Sequence, residues 1–376
     1  MVTRTTTHPV LGTRALNRAT LARQLLLRRV PRAELSVTDA VGQLVGLQAQ
    51  NVRPPYVALA ARLADFAPGE LSAPMASRAV ARMVTLRSTL HTHTADDCLA
   101  LRPLVQSGGP DRELRMFRTG LTGVDLDRLA AVARELVEEE PRTMKQLREA
   151  LAVHWPDADP FALSVAARCL LPLVQVTPRG LWGAGGQVAL TTTERWFGRP
   201  AGPAATAEDT VLRYLAAFGP ASVKDMQTWS GLTRMRAVFD GLRPRLAVFR
   251  DEAGTELFDL PDAPRPDPGT PAPPRFLPEF DNLLLSHADR SRVIARDEHR
   301  NLTWRGNQSC PAFLLDGFLA GTWRLTEDAG RATLTVQPFE EPGRAARGEL
   351  TAEAERTLRT LSAATSYDVR FEAVDA

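Results

Sequence analysis

Apolar residues recur at helical spacing through residues 17–28 and 37–47, where Thr38 or Asp39 is placed to cap. A third helix opens at Pro54-Pro55 and runs through Tyr56, Val57, Leu59, Leu63 and Phe66, since proline is tolerated in a first helical turn. Residues 80–94 then switch to β-branched alternation and predict strand. The same order recurs. Residues 126–139 and 143–153 read as helices, Pro160 begins another, and residues 173–183 read as a hairpin turning near Arg179-Gly180. A third copy comprises helices at 208–218, 222–230 and 234–242, followed by a hairpin of 246–250 and 256–260 with Gly254 at its turn.

Three helices and a hairpin is the winged-helix order, a DNA-docking arrangement in which a helix enters the major groove and the wing contacts the backbone beside it. Residues 263–274 are proline-dense and read as a stiff linker. Beyond them, short strands mixed with Gly and Asn turns precede an amphipathic helix at 350–364. The expected fold is therefore α+β and helix-rich. Its units are a first winged helix at 14–108, a second at 122–197, a third at 206–262 and a β-rich C-terminal element with a terminal helix at 275–376. A helical bundle with incidental hairpins is the alternative architecture.

Composition narrows the chemistry only slightly. A chain of 376 residues suits several domains, and 44% hydrophobic with 24% charged residues is ordinary for a globular protein. No apolar run reaches the ~18 residues of a membrane span and no apolar leader opens the chain, so no membrane association and a cytoplasmic, nucleoid-associated location are expected. Cys98, Cys169 and Cys310 are scattered and odd in number, which fits neither a disulfide framework nor a zinc pattern. The net charge is only +2, but Lys145 and Lys224 are the only lysines, so 44 of the 46 cationic side chains are arginine. Arginine forks onto phosphate, although a GC-rich coding bias gives the same skew.

The most unusual stretch is Gly46-Leu47-Gln48-Ala49-Gln50-Asn51, followed by Arg53-Pro54-Pro55. In an extended segment, which the prolines favour, Gln48 and Gln50 share a face. Amides are not general bases at neutral pH. Their carbonyls can orient water or place partial negative charge beside a developing cation, which suits a reaction with a good leaving group such as an N7-alkylated purine. Solvated loop glutamines are the plain alternative. His91 and His93 share a strand face, yet no third ligand has a recognisable spacing, so structural hydrogen bonding or DNA contact is favoured over metal. Asp96-Asp97 reads as the cap of the next helix. Glu279, Asp281 and Asp297 read as solvated or turn acids, and no Gly-x-Ser-x-Gly, phosphate loop or His-Glu-x-x-His run is present.

Five segments in order, Leu16-Asn17-Arg18, Val45 through Leu59, Leu86 through His91, Leu277 through His287 and Asp316 through Arg324, resemble the winged-helix DNA glycosylases of the AlkZ and YcaQ superfamily. The resemblance implies tandem winged-helix units around a DNA channel. It implies hydrolysis of the N-glycosidic bond of cationic alkylated purines, in some members with unhooking of interstrand cross-links as self-resistance to a genotoxic natural product. The superfamily's motif of glutamine, an apolar residue, then glutamine or aspartate falls on Gln48-Ala49-Gln50, the AlkZ-like form. A monofunctional DNA glycosylase acting as a monomer on double-stranded DNA, without cofactor or metal, is expected. Gln48 and Gln50 would carry catalysis, with Asn51, Arg53, His91, His93, Arg179 and Trp182 contacting DNA or supporting the site. A winged-helix transcriptional regulator without catalysis is the competing reading.

Overall fold

The computed structural model describes residues 8–305 and 308–374. It is α+β and helix-rich with a β-rich C-terminal element, as the pattern predicts. The helix expected at 17–28 is Thr13–Arg23, whose Leu21 packs with the C-terminal element, and its place in the first unit is taken by Gly69–Ala76, which the pattern did not announce. The first unit packs the helices Val37–Gln43, Pro54–Arg62 and Gly69–Ala76 through Val41, Leu44, Tyr56, Leu59, Leu71 and Met75. Its first helix is capped by Ser36, not by Thr38 or Asp39: the Ser36 hydroxyl accepts from the Asp39 amide at 3.1 Å. That helix ends earlier than its apolar pattern, because Val45 and Gly46 adopt left-handed backbone (φ 54° and 88°) and release Leu47–Gln48 as a strand. Residues 80–94 form a hairpin, Val80–Val84 against Leu90–Thr94, in place of one long strand. Thr94 caps the next helix, and Asp96 and Asp97 lie in its first turn, where Asp97 pairs with Arg213.

In the second unit Leu126–Glu139 matches its expected span, Met144–His154 begins with a Thr143–Gln146 capping box, and Pro160–Leu170 follows an Asp159 cap. The predicted turn at Arg179-Gly180 is corrected by the structure. Leu173–Gln175 pairs with Ala189–Thr192, and the intervening loop folds back onto the first unit. There the Tyr56 hydroxyl donates to the Gly180 carbonyl at 2.7 Å and the Trp182 amide donates to the Ser72 hydroxyl at 3.0 Å. The first two wings also join: Arg82 pairs with Gln175 and Met83 with Val174, so one sheet of six strands runs through both units. The third unit follows its pattern closely, with Ala207–Phe218, Val223–Ser230 and Arg236–Leu242 around Tyr214, Phe218, Trp229 and Phe239. Its hairpin pairs Ala247–Asp251 with Glu256–Asp259.

The helix Thr13–Arg23 is a hub. Asn17, Arg18, Thr20 and Arg23 are buried alongside Leu16, Ala19 and Leu21, and each finds a distant partner. Asn17 donates to the carbonyls of Arg292 and Gly317, each at 2.8 Å. Arg23 forks onto Asp259 at 2.7 and 2.8 Å. Arg14, Arg18 and Arg23 also donate to the carbonyls of Pro268, Thr270 and Pro264, so residues 263–274 are strapped down and do not act as a free spacer. The C-terminal sheet orders Arg275–Leu277, Ala312–Leu315, Phe318–Asp328, Arg331–Pro338 and Ser366–Phe371, with the helix Arg344–Leu361 packed through Leu350, Ala354 and Leu358. Among the described residues no helix is long and apolar enough to cross a membrane.

Candidate active site

The paired glutamines occupy an extended segment at the edge of the six-stranded sheet. Leu47 and Gln48 pair with Thr92 and His91, and the Ala49 amide continues the ladder by donating to the Leu90 carbonyl at 2.8 Å. Gln48 is 7% exposed, whereas Gln50 lies at the surface. Their carbonyl oxygens have separate partners: Gln48 Oε1 accepts from the Arg87 guanidinium at 2.9 Å, and Gln50 Oε1 accepts from the Leu90 amide at 3.3 Å. Both partners are donors only, so chemistry fixes which end of each amide is oxygen. Each oxygen keeps a second lone pair.

Three supports that the pattern did not reveal hold this segment. Arg82 donates to the carbonyls of Ala49 at 2.6 Å and Asn51 at 3.2 Å; burial, then the neighbouring Arg179 charge, depresses its pKa to about 10. Asn282 donates to the Gly46 carbonyl at 2.7 Å. Arg87, whose pKa burial and then Arg290 lower to about 10, joins Gln48 to the Trp229 carbonyl. Arg87 and Asn282 lie within two of the stretches that carry the family resemblance, but neither residue type nor spacing singles them out there, and Arg82 lies outside those stretches.

His91 and His93 do share a face, with rings stacked 5.4 Å apart, and both are buried, at 1% and 0% exposed. The strand register sets His91 directly opposite Gln48. His91 Nδ1 lies 3.0 Å from the Thr89 carbonyl, and His93 Nε2 lies 2.8 Å from the Thr85 hydroxyl. The His93 ring also fills the space against Gly46, where an added Cβ would stand 2.3 Å from it. Gly46→Ala combines that clash with left-handed backbone, so a loss of roughly 2 kcal/mol is expected in a urea melt. An unchanged midpoint would mean that the ring moves freely.

Burial pushes His91 well below the usual histidine range and His93 down to about 4. An unfolded histidine titrates near 6.5, so between pH 6.5 and 4 the unfolded chain binds protons that the folded chain refuses, and stability falls as pH falls. We expect about 1 kcal/mol lost per buried histidine between pH 6.5 and 5.5, with a shallower slope in His93→Gln. Parallel slopes in both proteins would place the proton uptake elsewhere.

The remaining expected residues surround a cleft of about 360 Å³ that begins at Asn51. Asn51 donates to Glu279 at 2.9 Å, Arg53 reaches Glu327 at 3.2 Å and lies over the Trp182 ring, and Arg179 and Trp182 form one wall. Gln50 instead borders a second cavity of about 270 Å³ between the first two units, with Ser88, Leu90, Met144, Leu173 and Gln175.

The acids stand apart from the amides. Asp281 is not solvated: it is 2% exposed, forks onto Arg62 at 2.8 and 2.9 Å and caps the helix Asn282–Leu285. Glu279 is half-buried against Asn51, and Asp297 is exposed in the first turn of Asp297–Leu302. Among the described residues no carboxylate hydrogen-bonds either glutamine, and no three His, Cys, Asp or Glu side chains form a metal-binding group. The segment can orient water and stabilise positive charge, and the carboxylate it touches, Glu279, is held by Asn51 and not by either glutamine.

The model of the AlkZ-like DNA glycosylase family matches residues 41–360. The chain is 24% identical over 339 residues to an interstrand DNA cross-link repair glycosylase of Streptomyces sahachiroi, an alignment covering 84% of this chain and 88% of that protein. Its fold superposes on the solved structure of Streptomyces sahachiroi DNA glycosylase AlkZ with a TM-score of 0.77 at 20% identity, over 96% of this chain and 100% of that one. Winged-helix units, a β-rich C-terminal element and a family match across most of the length agree: the chain belongs to the AlkZ-like DNA glycosylases.

Proposed function

We propose that this protein is a monofunctional DNA glycosylase that hydrolyses the N-glycosidic bond of cationic alkylated purines, N7-alkylguanine and N3-alkyladenine. The observation that carries this reading is the pair Gln48 and Gln50 on one extended segment, with amide oxygens as the available polar groups and, among the described residues, no carboxylate hydrogen-bonded to either. An alkylated, positively charged purine already has a weakened glycosidic bond and leaves as a neutral base, so it needs no general acid. One amide orients water toward C1′ and the other stabilises oxocarbenium-like charge. The name of the Streptomyces sahachiroi relative, an interstrand DNA cross-link repair glycosylase, supports a wider range that includes interstrand cross-links. Bulky adducts of a genotoxic natural product, with self-resistance as the biological role, belong to the same proposal. On this reading the protein works as a monomer on double-stranded chromosomal DNA in the cytoplasm.

The test is a duplex carrying one N7-methylguanine, incubated with the protein and analysed for free base. Matched duplexes with uracil or 1,N6-ethenoadenine complete it. Release of the methylated purine with little release of the neutral bases is expected, since amides cannot protonate a leaving group. Efficient excision of a neutral base would mean that Glu279 or Asp297 reaches the site as an acid.

A further inference from the structure

Arg87 is built into the site at some cost. It and Ser88 both adopt left-handed backbone, φ 55° and 56°, in the turn between Val80–Val84 and Leu90–Thr94, although neither is glycine. Such strain persists only where surrounding structure enforces it. The turn aims the guanidinium inward: one nitrogen donates to Gln48 Oε1 at 2.9 Å and another to the carbonyl of Trp229, the residue next to the end of Val223–Ser230. Gly231, itself left-handed at φ 79°, packs against the Arg87 backbone, with an added Cβ only 3.5 Å from its Cα. No carboxylate pairs with Arg87 among the described residues, so its charge is directed at two neutral oxygens.

We propose that Arg87 is a positioning residue that fixes the Gln48 amide for the reaction and ties its orientation to the third winged-helix unit. A guanidinium only donates, so it holds the Gln48 oxygen toward itself and turns the amide nitrogen away. Without it the amide is free to rotate about its side-chain torsions. The Trp229 carbonyl gives the guanidinium a fixed origin on a different unit, so the amide orientation is set across the boundary between the first and third units.

This inference rests on the glycosylase reading, and the experiment separates the two. Single-turnover release of N7-methylguanine at saturating protein is measured for the wild type, Arg87→Ala, Arg87→Lys, Gln48→Ala and the Arg87→Ala/Gln48→Ala pair. Lesion-duplex affinity is measured for each against salt concentration. Arg87→Ala is expected to slow release about 10- to 100-fold, the scale of a misplaced reacting group, with affinity and salt slope unchanged. In the Gln48→Ala background the same change should cost almost nothing, because the group it positions is absent. Arg87→Lys should recover part of the rate, since one ammonium can reach the amide oxygen but cannot span to Trp229 as well.

Equal losses in both backgrounds would overturn the proposal and make Arg87 a general structural support. So would a normal saturated rate with weaker binding and a salt slope reduced by about 0.9, which marks a phosphate contact. If Arg87→Ala melts early, Arg87→Lys decides: a native melt with wild-type release counts against positioning, and a native melt with slowed release supports it. A wild-type protein that frees no base would instead sink the glycosylase reading itself.

Discussion

Replacing Gln48 or Gln50 with alanine is expected to lower single-turnover excision of N7-methylguanine about 10²-fold or more, the usual cost of removing one charge-stabilising group from a reaction centre. Lesion-duplex affinity should change little, because neither amide is charged and phosphate contacts supply most of the binding. The two variants should differ in how they fail. Gln48 is buried against Arg87, so its loss removes a group that is held in place before DNA arrives. Gln50 is exposed and, among the described residues, its side chain is held by a 3.3 Å contact from the Leu90 amide, so we expect the substrate to complete its orientation. Gln48→Ala, which keeps the substrate-oriented Gln50, should therefore show greater dependence on the flanking duplex than Gln50→Ala. Near-wild-type rates in both would remove the pair from the mechanism.

The largest stability effect is expected at Asp281. The Arg62 and Asp281 side chains are both 0% exposed, and no bulk water is available to replace either partner. Asp281→Ala leaves a buried guanidinium uncompensated, which costs about 3–5 kcal/mol. Replacing both at once, Arg62→Met with Asp281→Leu, should recover most of that loss, since a buried pair is often no better than apolar groups of similar volume. Denaturant midpoints of the single and double variants measure this, and equal destabilisation in the two would refute an ion-pair origin. The loss should also reach excision. Asp281 caps the short helix at whose start Asn282 sits, and Asn282 holds the Gly46 carbonyl just ahead of Gln48.

The sequence pattern is most readable where a unit is closed on itself. Leu126–Glu139, the Pro160 start and the hairpin turning at Gly254 follow from apolar spacing, caps and turn residues that act within a dozen positions. The extended Gln48-Ala49-Gln50 segment was legible for the same reason, because Gly46 and the prolines downstream enforce it locally. What the pattern hides depends on distant partners. Arg23 looks like a solvent-facing residue until Asp259, 236 positions away, meets it in the core. Pairing of Arg82 with Gln175 fuses two wings, and nothing in either strand records the other. Arg87 is hidden twice over. Its turn is left-handed without a glycine to announce it, and its partners lie on separate units.

The strap at residues 263–274 bears on how this chain tolerates cutting and rejoining. Proline density and surface position make it the natural place to open the backbone, to insert a tag or to move the chain termini. Yet its carbonyls at Pro264, Pro268 and Thr270 are acceptors for Arg23, Arg14 and Arg18, so the peptide there does the work of a scaffold. A nick in the strap leaves Arg18 paired with Asp316 and Arg62 paired with Asp281, ion pairs that join the N-terminal fragment to the C-terminal one. The two fragments should travel together through gel filtration, whereas lengthening the strap by a flexible insert would pull those carbonyls out of register with the helix that reads them.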